Sequence, residues 1–212
     1  MRWLDWLEKH FGSWEIPEFP LFIVCATSAI YMLDLVRPMF AYELILNPEA
    51  VRAGQWWRLF TFLFVPPSSL GPLWMLLWLY ILFQYAQALE HEWGGFRFMV
   101  FFGIGALATM AASMWMGEPL SNLPLYTTLF LAFASLFPDF ELLLFFILPV
   151  KVKYLGWIVW LGTAWSFLTG TSVTRIGILA SLFNYVLFFG PQHFHSFRAW
   201  LRQIRQDPPW NR

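Results

Sequence analysis

Charge is what this sequence has least of. Charged residues fill 12% of its 212 positions, about half of the roughly 25% usual in soluble domains, so most of its surface cannot be a solvated one. The 13 basic and 13 acidic residues cancel. With no basic excess over the whole chain, nucleic acid is excluded as a partner. A hydrophobic content of 59% excludes intrinsic disorder, which needs a chain poor in apolar residues. The single cysteine, Cys25, rules out a disulfide framework and a cysteine-based metal site. Set in an apolar stretch, it reads as a small buried hydrophobe. No His and carboxylate cluster of the kind a metal needs is present, and no cofactor is expected. A signal peptide is excluded because Asp5, Glu8, Glu15 and Glu18 interrupt the first twenty residues.

What the sequence does have is long uncharged runs. Residues 59–89, 98–117, 119–138, 154–174 and 176–197 contain no Asp, Glu, Lys or Arg, and 19–33 form a shorter run. A bilayer core of ~30 Å takes about 20 apolar helical residues, and helices satisfy their own backbone where water is absent. The reading is an all-α integral membrane protein with six spans, near 20–39, 72–90, 97–117, 122–137, 153–170 and 175–190. The last is expected to stop at Gly190-Pro191. Residues 1–18 form an N-terminal segment in which Leu4, Leu7, Phe11 and Trp14 recur at helical spacing beside Trp3 and Trp6. This is either a short interfacial helix or an ordinary helical lead-in. Residues 19–191 form the membrane domain and 192–212 a basic tail with Trp200 and Trp210, solvated or held at headgroups. The 40–71 connection, half apolar and rich in Trp, is expected to embed in the membrane surface.

Basic residues set the orientation. Arg2, Lys9, Arg97, Lys151, Lys153, Arg198, Arg202, Arg205 and Arg212 fall on the side of the termini; Arg37, Arg52, Arg58 and Arg175 fall opposite. Both termini are therefore expected in the cytoplasm. Gly103, Gly105, Ala106, Ala108, Ala111 and Ala112 in the third span, Ala132, Ala134 and Ser135 in the fourth, and Gly177, Ala180 and Ser181 in the sixth mark where helices approach closely. These three spans should form the tight centre of the bundle. The 14 Trp residues read as an interfacial belt.

Four motifs occur in order along this frame. They are Gly54-Gln55-x-Trp57-Arg58-Leu59-x-Thr61, Glu90-x-x-x-Gly94-x-x-Arg97-Phe98, Leu131-Ala132-Phe133-x-x-Leu136-Phe137-Pro138, and Leu144-Phe145-Phe146-x-x-Pro149-x-Lys151-x-Lys153-Tyr154. Over about residues 20–190 the chain resembles the rhomboid superfamily of intramembrane serine proteases and their inactive relatives. The resemblance is to a bacterial-type rhomboid pseudoprotease or a derlin-like member. It implies a six-helix bundle, a membrane-embedded first external loop shaped by Trp57 and Arg58, and a motif of Glu90, Gly94 and Arg97 at the cytoplasmic end of the second span. From the residues, Glu90 and Arg97 are expected to cap and pair, and Arg58 to bind backbone carbonyls or stack on indole.

The family's chemistry needs a serine in Gly-x-Ser-Gly at the start of the fourth helix and a histidine base in the sixth. The first slot holds Ser121-Asn122-Leu123-Pro124, with Leu123 in place of the nucleophile, and the base slot holds Ser181. The second span opens Pro72-Leu73-Trp74, without the His and Asn that help an oxyanion. Independently of register, His10, His91, His193 and His195 lie at span ends or in tails on the side of the termini, and Lys9, Lys151 and Lys153 lie on that side too, so the general base is missing. The expected function is a catalytically inactive protein whose partners are the bilayer and the transmembrane segments of client proteins. An active protease with an altered site, or a small transporter or channel, is the alternative. Among the polar residues within spans, Thr127, Thr128, Asn184, Gln84, Gln87 and Ser181 are candidates, available for interhelical hydrogen bonds or, at Thr127, Thr128, Asn184 and Gln84 first, for client contact. Combining Leu123→Ser, Pro124→Gly and Ser181→His should leave cleavage of a model transmembrane substrate undetectable, because the oxyanion groups of the second span are also absent. Robust cleavage by the triple variant, read by gel shift of the substrate, contradicts this.

Overall fold

The computed structural model describes the backbone of residues 2–67, 70–144 and 148–206, and the side chains of 3–67, 70–142 and 149–190. The chain opens with α1 (Arg2–Phe11), amphipathic as its spacing requires. It is held by one edge: Leu4 is buried, while Trp6, Phe11 and Trp14 face outward. The bundle proper is α2 (Phe19–Val36), α5 (Pro72–Trp93), α6 (Gly95–Met116), α7 (Leu123–Leu136), α8 (Val152–Thr169) and α9 (Ser172–Gln206), with short α3 (Pro48–Arg52) and α4 (Arg58–Thr61) in the long connection after α2. Pro20, Pro48, Pro72 and Pro124 each stand in the first turn of a helix, where the missing N–H has no intrahelical partner to lose.

Among the described residues, four helices are long and apolar enough to cross a membrane: α2, α5, α6 and the Ser172–Gly190 part of α9. Six were expected. The apolar helix α7 has 14 residues, about 21 Å of rise against a core of ~30 Å. α8 reaches 18 residues, but Lys153 and its Gly, Ser and Thr positions dilute its hydropathy. α9 also departs from expectation at its far end, running on as helix through Gly190-Pro191 to Gln206. A proline removes one bond to the carbonyl four residues back and kinks a helix without having to end it. The side chains of the tail, His193, His195 and Trp200 among them, lie outside the described residues, as does Trp210.

A second departure from an all-helical chain is the hairpin of β1 (Glu141–Leu144) and β2 (Leu148–Lys151), antiparallel with Glu141 opposite Lys151. This apolar stretch is too short to span, so its backbone pairs with itself. The pairing continues into α8, with Val152 N donating to Phe140 O (2.8 Å) and Lys153 N to Pro138 O (3.0 Å). Beside it, Lys153 Nζ (3.2 Å) and Lys151 Nζ (3.4 Å) both donate to Asp139 Oδ1. Those hydrogen bonds, Lys153 first, hold the Asp139 carboxyl below the ordinary carboxylate range.

α9 packs chiefly on α6 and α7, the centre that the small residues mark. Gly105 explains the closest approach: a Cβ there would lie 2.5 Å from Leu125 Cδ1 and 2.6 Å from Asn184 Nδ2. Gly103, two residues earlier, has open space around it. Phenylalanine fills the interior, with Phe62, Phe98, Phe101 and Phe133 fully buried and Phe101 edge-on to Phe188 at 5.0 Å. Tryptophan stays outside, at Trp56, Trp57, Trp74, Trp115 and Trp165 among others. Cys25 is exposed: the uniformly apolar α2 buries Phe19, Pro20, Ile23 and Thr27 and turns its remaining faces outward. Gly105→Ala should cost about 1–3 kcal/mol through overpacking, whereas Gly103→Ala should be neutral or slightly stabilising. Thermal denaturation in detergent micelles, followed by the monomer remaining on size exclusion, separates the two.

Candidate functional site

Residues of the long connection are held by side chains, not by regular structure. Arg58, at the start of α4, donates from Nε to Gln55 Oε1 (2.8 Å) and from Nη1 to Tyr42 O (3.1 Å) and Ile45 O (3.2 Å). It binds carbonyls, while Trp57 beside it stays exposed. Thr61 Oγ1 adds a bond to Leu44 O (3.0 Å). Asn122 fixes the other end of the connection, donating from Nδ2 to Leu63 O (3.2 Å) and Val65 O (2.8 Å), and Tyr126 OH donates to Leu63 O (2.6 Å). A bridge between Leu46 and Leu120 completes the tie.

The second motif works differently from its expected reading. Glu90 and Arg97 do not pair with each other. Glu90 Oε1 accepts from Phe19 N (3.2 Å) at the start of α2, and Arg97 reaches Glu8 Oε2 (2.8 and 2.9 Å) and Asp5 Oδ1 (3.0 Å) on α1. Gly94 lies between them at φ +84°, a conformation that glycine adopts without a side-chain penalty. It alone joins α5 to α6, and the turn aims the two charged residues at different helices. Their distance apart around this corner is why the pair binds outward.

Two openings lie side by side on the bundle. One, of about 300 Å³, sits between α5, α7 and α8 and is walled by Trp78, Ile81, Tyr85, Phe130, Leu155 and Ile158. The other, also about 300 Å³, lies between α7, α8 and α9. Leu123, Thr127 and Val159 line both. A further cavity of about 650 Å³ lies under the long connection, near Asp34, Tyr42, Phe62 and Asn122. Its polar groups are engaged: Asp34 Oδ1 accepts from Ala41 N (2.8 Å), and Asn122 is bound as above.

Leu123 and Ser181, the two positions that the rhomboid resemblance aligns with nucleophile and base, line the same cleft. Leu123 is exposed at the head of α7, and Ser181 is fully buried. His10 binds its own helix at Trp6 O (2.8 Å) and His91 lies at the far end of α5. Among the described residues neither opening is lined by a histidine, lysine or carboxylate. Nor do three or more His, Cys, Asp or Glu come together there as a metal site.

Sequence patterning picks out four residues for client contact, and they divide. Thr127 and Thr128 line the cleft, each donating to its own helix, at Leu123 O (2.9 Å) and Leu125 O (2.8 Å). Asn184 is instead fully buried, donating to Phe101 O (3.3 Å) across α6 and α9. Gln84 donates to Tyr80 OH (3.2 Å) one turn away on α5 and lines neither opening. The roles of Asn122, Thr163 and Ser166 are not visible in the sequence. Asn122 could have been found, since an Asn just before a proline-led helix in the vacant nucleophile motif needs a partner once buried.

The sequence pattern of the Der1-like family matches residues 16–198. The chain belongs to the Der1-like family. This is a family of rhomboid-like membrane proteins generally inactive as proteases, and four apolar helices with this match make the chain an integral membrane protein. No curated protein matches it as a relative. In this Der1-like chain the Trp57-Arg58 motif anchors the connection and the Glu90-Gly94-Arg97 motif anchors α1 and α2. Arg58→Ala should therefore lower stability by about 2–3 kcal/mol, as a charged donor is lost and two carbonyls are left unbonded. Arg58→Lys should recover less than half, because an ammonium cannot reproduce the planar fork. Equal melting temperatures for Arg58→Lys and the parent protein contradict this role.

Proposed function

We propose that this Der1-like protein is catalytically inactive and binds transmembrane segments of client membrane proteins, for regulation, quality control or hand-off to a protease. The observation that carries this reading is the opening between α5, α7 and α8. Its walls are apolar, and α8 buries only Val152 and Gly156, leaving Trp157, Ile158, Leu161, Trp165 and Leu168 exposed. A helix so little committed to its own bundle can accept another helix against it. α5 packs on α2, α6 and α7 and leaves this side open.

In this reading all six long helices cross, both termini lie in the cytoplasm, and the Trp-rich connection is embedded opposite. The short α7 mismatches an ordinary bilayer, which thins locally to meet it. A client segment with polar residues is then penalised less beside this protein than in bulk lipid. The degenerate slots at Leu123 and Ser181 supply neither nucleophile nor base. Purified protein in nanodiscs should show no labelling by a fluorophosphonate probe and no cleavage of a model transmembrane substrate. Photocrosslinkers at Trp78 and Ile158 should capture that substrate, and ones at Leu107 and Trp115 should not. Labelling at any serine, or equal capture at all four positions, overturns the proposal.

A further inference from the structure

Three hydroxyls on the cleft between α7, α8 and α9 break a habit of this chain. Along its apolar helices, hydroxyls turn back on their own backbone: Ser28 Oγ donates to Val24 O (2.7 Å), Thr109 Oγ1 to Gly105 O (2.9 Å), Ser135 Oγ to Leu131 O (2.9 Å) and Thr169 Oγ1 to Trp165 O (2.8 Å). Thr127 and Thr128 do the same within the cleft. Ser181 Oγ lines that cleft and is buried without a hydrogen-bond partner, as only Thr27 Oγ1 on α2 otherwise is among the described residues, and Thr163 and Ser166 line the same cleft with no hydrogen bond among the described residues. Each has a carbonyl one turn back. Ser166 is exposed, Thr163 half-buried and Ser181 fully buried, so unengaged hydroxyls run from the outer wall inward.

The lining also contains no charged side chain. Arg175, next to Thr174 at the mouth, is engaged with Phe167 O (2.9 Å) and Leu168 O (3.0 Å). An ammonium or carboxylate entering the cleft would therefore meet no counter-charge, at a prohibitive desolvation cost. A purely apolar group would leave the three hydroxyls unbonded. The volume, about 300 Å³, admits a side chain but not a helix, whose diameter is about 10–12 Å. What fits is a neutral group that both donates and accepts.

We infer that this cleft is a socket for the amide side chain of an asparagine or glutamine, carried by a transmembrane segment lying along the α8–α9 face. The carboxamide offers two donors and an acceptor, and free hydroxyls can give or take each of these bonds. Leu179 and Phe183 are exposed on α9 and supply apolar contact for the segment itself. The inference rests on the client-binding reading above and adds a second contact surface for a client segment, at the neighbouring opening on the α9 side of α8.

The test uses the full chain in phosphatidylcholine nanodiscs and a fluorescent Leu/Ala transmembrane peptide of roughly 22 residues, with one guest position set to Asn, Leu, Asp or Lys. Energy transfer should report Asn binding about three- to tenfold tighter than Leu, the range of interhelical polar bonds in membranes, with Asp and Lys no tighter than Leu. In Thr163→Val/Ser166→Ala/Ser181→Ala the Asn advantage should fall below about twofold, while the Leu peptide binds as before. If that variant aggregates, Thr163→Val/Ser166→Ala, which alters only the accessible hydroxyls, should still cut the advantage by half or more. Absence of an Asn preference in the parent protein, or its survival in the variants, overturns the socket and leaves client binding standing. Failure of every peptide, Leu included, to bind above empty nanodiscs overturns both.

Discussion

Wherever a helix breaks inside an apolar slab, its freed N–H and C=O groups have no water to turn to, and each must find another partner. This chain meets that constraint with a small set of polar side chains. Arg58 and Thr61 cover carbonyls of Tyr42, Ile45 and Leu44. Asn122 and Tyr126 cover those of Leu63 and Val65. Arg175 covers the last carbonyls of α8, Glu90 takes the first N–H of α2, and Asp34 takes that of Ala41. The irregular connection between α2 and α5 stays attached to the bundle through these bonds more than through its own helices.

The same division fits a chain of the Der1-like family, whose members are rhomboid-like and generally inactive as proteases. The motifs that survive, Trp57-Arg58 and Glu90-Gly94-Arg97, bind backbone or other helices, and the fold depends on them. Leu123 and Ser181, which the rhomboid resemblance aligns with nucleophile and base, sit on the wall of an opening, and their side chains make no hydrogen bond among the described residues. Next to Leu123, Asn122 attaches the long connection to α7. Structural anchors and cleft-lining positions therefore occupy neighbouring residues in the sequence and separate sets of contacts.

The helices were legible because charge is so scarce that their ends stand out, and because prolines mark four of their starts. The tight centre was legible from small residues, although only Gly105, not Gly103 or Gly177, meets a neighbour closer than 3 Å. The partners of Glu90 and Arg97 were not, since a spacing of seven along the chain says nothing about a turn at Gly94 that separates them. The β1–β2 hairpin was hidden for a similar reason. Its 142–148 stretch is as apolar as a span, and only length distinguishes it. The split between Asn184, buried against α6, and Thr127, open to the cleft, depends on rotation about helix axes that composition does not record.

One consequence follows from α9 being a single helix. About 19 residues of it lie in the bundle, and it runs on to Gln206, roughly 24 Å beyond Gly190 at helical rise. The cleft wall and the far end of the chain are thus two arms of one rod, interrupted by a single missing hydrogen bond at Pro191. A tilt of about 10° pivoting at Gly190 moves the distal tip by about 4 Å. Geometry alone makes the outer arm an amplifier of small displacements deep in the bundle.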